Sequence, residues 1–261
     1  MVTLAKKPEI QDVPVRKMTV SEAAQRRFRP HRMKDFVPFD MDMIGVPVVS
    51  MREGKYFVVD GQHRVAAIRE NIVNAESISI RCKVYFGLSE RQEAELFLFY
   101  NNSMPVRTLD KFRVAVTAGH DEQVAITEAV ESAGFRIAAS SAPGGINCVA
   151  VLQKIYSRAG ASIIARSLKV IADTFGEIAV DGPLMNGVAH VLQRYDGQIR
   201  DAMIVERLRL VRGGTGALRQ AANEHRNTFG TDIGLGYAAA IVDAINGRGR
   251  KKLIPVWWSP E

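Results

Sequence analysis

Val58-Val59-Asp60-Gly61-Gln62-His63-Arg64 is the stretch on which the reading of this chain turns. Two valines close a β-rich run that begins at Tyr56, and Val65, Ile68 and Ile72 follow at helical spacing. A strand is therefore expected to turn sharply at Gly61 into a helix. A helix starting there offers the free N–H groups of its first turn and the positive end of its dipole, and glycine lets an anion approach that backbone closely. Arg64 adds a planar fork able to hold two phosphate oxygens, His63 adds a second donor, and Gln62 can donate to an oxygen or hold a water. The other reading of the same residues is a plain glycine turn with Arg64 paired to Asp60 or Glu70.

Outward from this turn the patterns stay regular. Upstream, the β-rich runs Val46-Pro47-Val48-Val49 and Tyr56–Val59 are joined by Arg52-Glu53-Gly54-Lys55, whose Gly suits a tight turn, and a hairpin is expected. Downstream, Ile78, Ile80, Cys82 and Val84 alternate with Ser79, Arg81, Lys83 and Tyr85, the period of a half-buried strand. Ser89-Glu90-Arg91-Gln92 is a capping box opening a helix that runs through Ala94, Leu96, Phe97 and Tyr100 to Asn101-Asn102. Beyond Pro105 the pattern is helical, with helices expected near 109–118, 121–133, 146–159, 162–175, 183–195, 199–211, 215–227 and 234–246. Gly119, Gly134, Gly160 and Gly176 stand where C-terminal caps belong, and Pro183 where a first-turn proline belongs. Ala138–Gly145 and Gly213–Gly216 read as loops, the second lacking the Lys-Ser/Thr of a P-loop. The fold class expected is α+β: a strand-and-helix domain over 1–107, then an all-α domain over 108–261.

Composition narrows the function classes. The chain has 261 residues, 47% hydrophobic and 24% charged, which is ordinary globular usage and excludes disordered, collagen-like and disulfide-scaffold classes. No apolar run reaches the roughly 18–20 residues of a membrane span, and the start carries no leader pattern, so a cytoplasmic protein without a membrane partner is expected. Cys82 and Cys148 lack zinc-site spacing and are expected as buried free thiols. The net charge of +7 is spread over both halves and concentrates only in Arg26–Lys34 and Arg248–Lys252. Arg29, Arg32, Lys34, Arg248, Arg250, Lys251 and Lys252 are the candidate DNA-phosphate contacts, with solvated surface as the alternative. Phe28 is expected in the core, and Trp257-Trp258 are expected to pin the tail. His31, His120, His190 and His225 show no partner spacing for a metal or a triad. The helices near 121–133 and from 146 lie about 12 residues apart, too far for a helix-turn-helix.

The strings QRRF, DGQHRVAA, EAELFLFYNN and VRTLDKF together resemble the ParB/sulfiredoxin superfamily, over about residues 12–107. In ParB-type domains the turn reads GERR and in sulfiredoxins GCHR; Gln25-Arg26-Arg27 resembles the box that precedes it, Ile44-Gly45-Val46-Pro47-Val48 the following strand, and Glu93–Asn102 the helix of the third box. The form is most similar to that of phage and actinobacterial proteins of the ParB-like group. The resemblance implies a small mixed sheet with helices, with Gly61, Gln62, His63 and Arg64 as the triphosphate-binding turn. It implies that Arg26 and Arg27 close over the nucleotide, and that Asn101 and Asn102 contact phosphate or magnesium. The cofactor it implies is a nucleoside triphosphate, CTP or ATP, with Mg2+; the partner is DNA, in a phage or mobile-element setting, with self-association of the chain a further expectation.

Two departures separate this chain from its models. Gln62 stands where sulfiredoxins carry their nucleophilic Cys, which removes sulfinic-acid reduction. It also stands where ParB proteins carry a Glu beside the magnesium, and an amide supplies no charge there. Three functions stay open: an NTP-binding protein working with DNA, with CTPase or ATPase activity; a Mg-dependent nuclease; and a non-enzymatic regulator that binds a host partner through its helical half. The nuclease reading makes Asp60 the catalytic candidate, with Glu70, Asp42 and Glu93 as further carboxylates.

Overall fold

Glu53 and Gly54 decide the first piece of architecture, because both adopt positive φ, 53° and 74°. Such a two-residue turn twists with its strands and closes a tight hairpin. The computed structural model describes residues 7–101, 107–139, 143–247 and 252–258. Its chain divides into two units, Met1–Asp121 and Glu122–Glu261.

The first unit is built on five strands, β1 (Glu9–Pro14), β2 (Met18–Thr19), β3 (Val48–Arg52), β4 (Lys55–Asp60) and β5 (Ser79–Phe86). They lie in the order β1-β5-β3-β4-β2, with β1/β5 and β3/β4 antiparallel and β3/β5 and β2/β4 parallel. The sheet is thus mixed, and the chain is α+β as its pattern predicts. Both faces are covered. Val13, Val49, Val58, Ile80, Cys82 and Val84 pack with Val65, Ala67 and Ile68 of α1 (Gln62–Asn71). Val48, Val59 and Tyr85 pack on the other side with Leu96 and Phe97 of α2 (Glu90–Tyr100) and Val114 of α3 (Thr108–Thr117). Central strands buried on two faces need apolar neighbours in sequence, which is why Val48-Val49 and Val58-Val59 occur as pairs.

The Ser89 box forms: the Gln92 N–H donates to Ser89 Oγ at 3.3 Å, and the Ser89 N–H donates to Gln92 Oε1 at 2.9 Å. Helix α3 belongs to the sheet unit, since Val114 and Ala118 share the core of Leu96 and Phe97. The division therefore falls at Asp121/Glu122 rather than at the 107/108 boundary expected where the strand-and-helix pattern gives way to a helical one. Pro105, which marked that boundary, lies outside the described residues.

The second unit is helical: α4 (Asp121–Ser132), α5 (Val149–Ala159), α6 (Ala161–Phe175), α7 (Gly182–Arg194), α8 (Asp201–Arg209), α9 (Gly214–Phe229) and α10 (Ile233–Asn246). Helix α10 is buried along Tyr237–Val242 and is the apolar axis of the unit. Two glycines set the spacing around it. A Cβ on Gly187 of α7 would lie 2.4 Å from Tyr237 Cβ, and one on Gly236 would lie 2.3 Å from the Ala222 carbonyl oxygen. Outside the axis, Arg166 of α6 grips Asp201 through two nitrogens at 2.7 and 2.9 Å and Asp196 through a third at 2.8 Å.

Several local expectations change. Helix α5 begins at Val149, not Ile146, because Gly145–Ile146 (β7) pairs in parallel with Arg136–Ile137 (β6). Of Gly213–Gly216, expected as a loop, Gly214 onward is already α9 and Gly213 is its left-handed N-cap. Cys82 is buried, but Cys148 is half-buried, since it occupies the N-cap of α5 where the chain leaves the core. Burial pushes both thiols up, to about 12 and about 11, so neither is a thiolate at neutral pH. The tail is pinned by Trp257 and Trp258, whose rings lie against Tyr195 and His225, and also by Ile254, 2% exposed, and by Asn246, which caps the Leu253 and Ile254 N–H groups and donates to the Ile254 carbonyl. Among the described residues no helix is long and apolar enough to cross a membrane.

Candidate functional site

Strand β4 ends at Asp60 and α1 begins at Gln62, so the whole change of direction falls on Gly61 (φ 104°, ψ 20°). A side chain there would be strained by that φ, and its Cβ would press within 3.2 Å of Pro47 Cβ. The first bond inside the helix runs from the Val65 N–H to the Gly61 carbonyl at 3.0 Å, and no side chain caps the start. The N–H groups of Gln62, His63 and Arg64 consequently have no partner within the helix.

A second segment, Ser21–Arg29, lies across this start. Gln25 Nε2 donates to the Val58 and Val59 carbonyls at 3.2 and 2.7 Å, and its Oε1 accepts the Arg26 N–H at 3.0 Å. From the helix side, Gln62 Nε2 donates to the Arg26 carbonyl at 3.0 Å. His63 Nε2 accepts the Arg29 N–H at 3.2 Å, which places the ring proton on Nδ1. Burial, followed by the charges of Arg26 and Arg32, holds His63 down at about 4, so the ring is neutral at pH 7. Phe28, expected in the core, is instead 43% exposed, with its ring stacked on His63 at 4.9 Å; the imidazole offers it an apolar face at the surface.

These contacts bury Arg26, leaving it 9% exposed. Its Nη1 has no hydrogen-bond partner among the described residues. Burial, then Arg32 and Arg29, pull its pKa below the usual arginine value, against the opposing charges of Asp60 and Asp110. Arg26 lines a cavity of about 70 Å3 together with Gly61, Gln62, His63, Arg64 and Asn101. That is several times the space one water needs. Gln25, Arg26 and Gln62 also line a neighbouring cleft of about 1000 Å3, along with Arg27, Phe28 and Glu70. The cleft is the size of a small-molecule site.

The other candidates are distributed as follows. Arg64 is turned inward: Nη2 pairs with Asp60 Oδ2 at 3.1 Å and Nη1 donates to the Val46 carbonyl at 3.3 Å. Asn101 is buried in the cavity wall and donates to the Phe97 carbonyl at 2.9 Å. Arg29 is spent on Asp110 at 2.7 Å, Arg32 on Asp35 at 3.2 Å, and Lys34 is exposed. Arg27 and Lys252 are exposed, whereas Asn102, Arg248, Arg250 and Lys251 lie outside the described residues.

The carboxylates do not converge. Asp60 is held by Arg64, Glu93 is 1% exposed and gripped by Arg52, and Asp42 is exposed. Among the described residues no three of His, Cys, Asp and Glu form a group able to hold a metal ion. The cavity lining sets Arg26, Arg32 and Arg64 against one carboxylate, Asp60, a balance that favours an anion. His120, His190 and His225, isolated in sequence, meet Glu95, Arg158 and Asp243 respectively, because the fold joins distant helices. Gln25 and Phe28 are the residues that composition and motif did not assign to the site; for Gln25 the signal was present in the Gln25-Arg26-Arg27 box.

Fold and site define a two-unit protein whose mixed sheet presents an uncapped helix start and a buried arginine to one cavity. The chain belongs to DUF6551, a family of unknown function, whose model matches residues 20–258 and so runs through both units. No curated protein matches it.

Proposed function

We propose that the Gly61–Arg64 turn and Arg26 bind the phosphate group of a nucleoside triphosphate, CTP or ATP, and that the chain is an NTP-binding protein working with DNA in a phage or mobile-element context. The observation that carries this reading is Arg26 Nη1, a buried cationic donor without a hydrogen-bond partner among the described residues, in a cavity that also takes in the start of a helix whose first three N–H groups have none within it. Burying a charge is costly unless it is paired, and an anion in the cavity supplies the pair. The adjoining cleft gives the remainder of a nucleotide a place to lie. The resemblance of DGQHR to the ParB-type phosphate turn supports the triphosphate as the anion, and the exposed Arg27 and Lys34 support a polyanionic partner.

A second reading follows from Arg64. Its inward pairing with Asp60 fits a regulatory protein in which the turn is scaffold and the helical unit binds a host partner.

Thermal stabilisation by CTP, ATP, GTP and UTP, with and without magnesium, separates the two. A bound nucleotide at about 100 times its dissociation constant stabilises the folded state by roughly 2.7 kcal/mol. Selective stabilisation that Arg64→Ala weakens supports the nucleotide reading, while no shift with any of the four overturns it in favour of the scaffold. The nuclease alternative predicts plasmid nicking by the wild type with magnesium or manganese and none by Asp60→Ala; plasmid that stays supercoiled ends it.

A further inference from the structure

Arg158 of α5, in the second unit, is half-buried and hydrogen-bonds only to neutral groups among the described residues. Nη1 donates to Asn186 Oδ1 at 3.1 Å and meets His190 Nε2 at 2.9 Å, and Nε donates to Gln193 Oε1 at 2.9 Å. Nη2 is buried with no partner among the described residues. His190 is itself neutral: burial and then Arg158 pull it down to about 4, with Lys154 and Arg194 acting in the same direction and Asp232 against them. Asp232 is engaged elsewhere, capping α10 through the Gly234 and Leu235 N–H groups at 2.7 and 3.0 Å and pairing with Lys154 at 3.5 Å.

Two of the Arg158 partners, His190 and Gln193, line a cavity of about 350 Å3 together with Arg194, Leu235 and Trp257, so Arg158 lies behind that wall. One wall is aromatic. The Arg194 guanidinium lies 5.0 Å from the Trp257 ring centre, and the segment carrying Trp257 is anchored by the Tyr195 hydroxyl, which donates to the Pro255 carbonyl. The lining thus combines an aromatic ring and an aliphatic side chain, Trp257 and Leu235, with a guanidinium, Arg194.

We propose that this cavity binds a planar aromatic ring carrying an anionic group, a carboxylate or a phosphate, with the ring against Trp257 and Leu235 and the anion toward Arg194 and the Arg158–His190 pair. The exposed Arg194 guanidinium offers an anion a charge-assisted partner, Arg158 adds positive charge behind the wall against the single opposing carboxylate of Asp232, and ring contacts reward a planar ligand. The site lies in the unit that does not carry the Gly61 turn, so the two sites are tested separately.

The chain has two tryptophans, Trp257 and Trp258, so intrinsic tryptophan emission reports on this cavity. Full-length protein is titrated with benzoate, AMP, neutral benzamide and inorganic phosphate. The expected result is a saturable emission change with benzoate or AMP at a dissociation constant of about 1 mM or below. Whichever of the two binds tighter identifies the anion. Benzamide and phosphate alone should bind roughly tenfold weaker or not at all, and Arg158→Met and Arg194→Ala should each weaken the planar anion by roughly tenfold. Arg26→Met, in the other unit, should leave it unchanged. Arg194 is exposed, so Arg194→Ala keeps the test intact even where Arg158→Met does not fold. No saturable change with either planar anion overturns the proposal. So does an undiminished response in Arg194→Ala, equal binding of benzamide or phosphate, or loss of the response in Arg26→Met.

Discussion

Replacing Arg26 by Met should raise the stability of the ligand-free protein while weakening its anion site. The side chain is 9% exposed and its Nη1 is buried without a partner among the described residues. An unsatisfied buried donor costs about 1–3 kcal/mol, and Met keeps most of the apolar stem while removing that donor. The backbone contacts of residue 26, to Gln25 Oε1 and Gln62 Nε2, survive the substitution. The net gain should be about 1–2 kcal/mol, a rise of a few degrees in the melting of the first unit. Ligand response should move the other way. Losing one charge-assisted contact of about 1.5–3 kcal/mol raises a dissociation constant by roughly ten- to a hundredfold or more. At a nucleotide concentration that stabilises the wild type by about 2.7 kcal/mol, the variant should gain less than about 1.5 kcal/mol. Melting curves of both proteins, with and without nucleotide, decide the matter. A variant that is less stable without ligand shows that the guanidinium is already satisfied, and an undiminished nucleotide shift shows that the anion binds elsewhere; either result refutes the reasoning.

Asp60→Asn releases Arg64 from a partly exposed ion pair, side chains 30% and 27% exposed, so it should cost no more than about 1 kcal/mol of stability. It should also tighten nucleotide binding several-fold in a direct titration by removing a carboxylate from the cavity. Gly187→Ala places a Cβ 2.4 Å from Tyr237 Cβ and 3.1 Å from the Ala238 nitrogen, and denaturant unfolding should show a loss of about 1–3 kcal/mol or more. Gly216→Ala, a helical position with nothing within 4 Å, should be neutral or stabilising by up to about 1 kcal/mol. The pH dependence follows from His63, held at about 4 in the folded state against 6.5 ordinarily. Because the folded pKa is depressed, the unfolded chain takes up the proton first. The contribution is full above pH 6.5 and is lost as pH falls toward 4, by an amount on the order of 3 kcal/mol. His63→Gln, which keeps an acceptor for the Arg29 N–H, should flatten the melting temperature of the first unit across that window.

Much of the fold was legible because its signals are short-range. The Glu53-Gly54 hairpin, the alternation through Ile80, Cys82 and Val84, the Ser89 box and the run of helices from 108 onward each depend on residues a few positions apart. Misjudged points required knowledge of a distant partner. Ile146 carries helical periodicity but pairs with Ile137, and α3 has no local mark assigning it to the sheet unit. Phe28 looks like core by composition, yet a histidine thirty-five positions away gives it a place at the surface.

By itself, the sequence determined that a strand meets a helix at Gly61, since the β-rich run ending at Val59 gives way to Val65, Ile68 and Ile72 at helical spacing, and that basic side chains stand at that start. It also contained the choice between an open Arg64 and one paired to Asp60, four residues apart across the turn. Which arginine is left unpaired was decided only by tertiary structure. Gln25 and Gln62 fold residues 21–29 over the helix start and bury Arg26 with its Nη1 unpartnered among the described residues, while the nearby carboxylates Asp110 and Asp60 pair with Arg29 and Arg64. Charge pairing depends on distances between side chains remote in sequence, and those distances exist only once the sheet has closed.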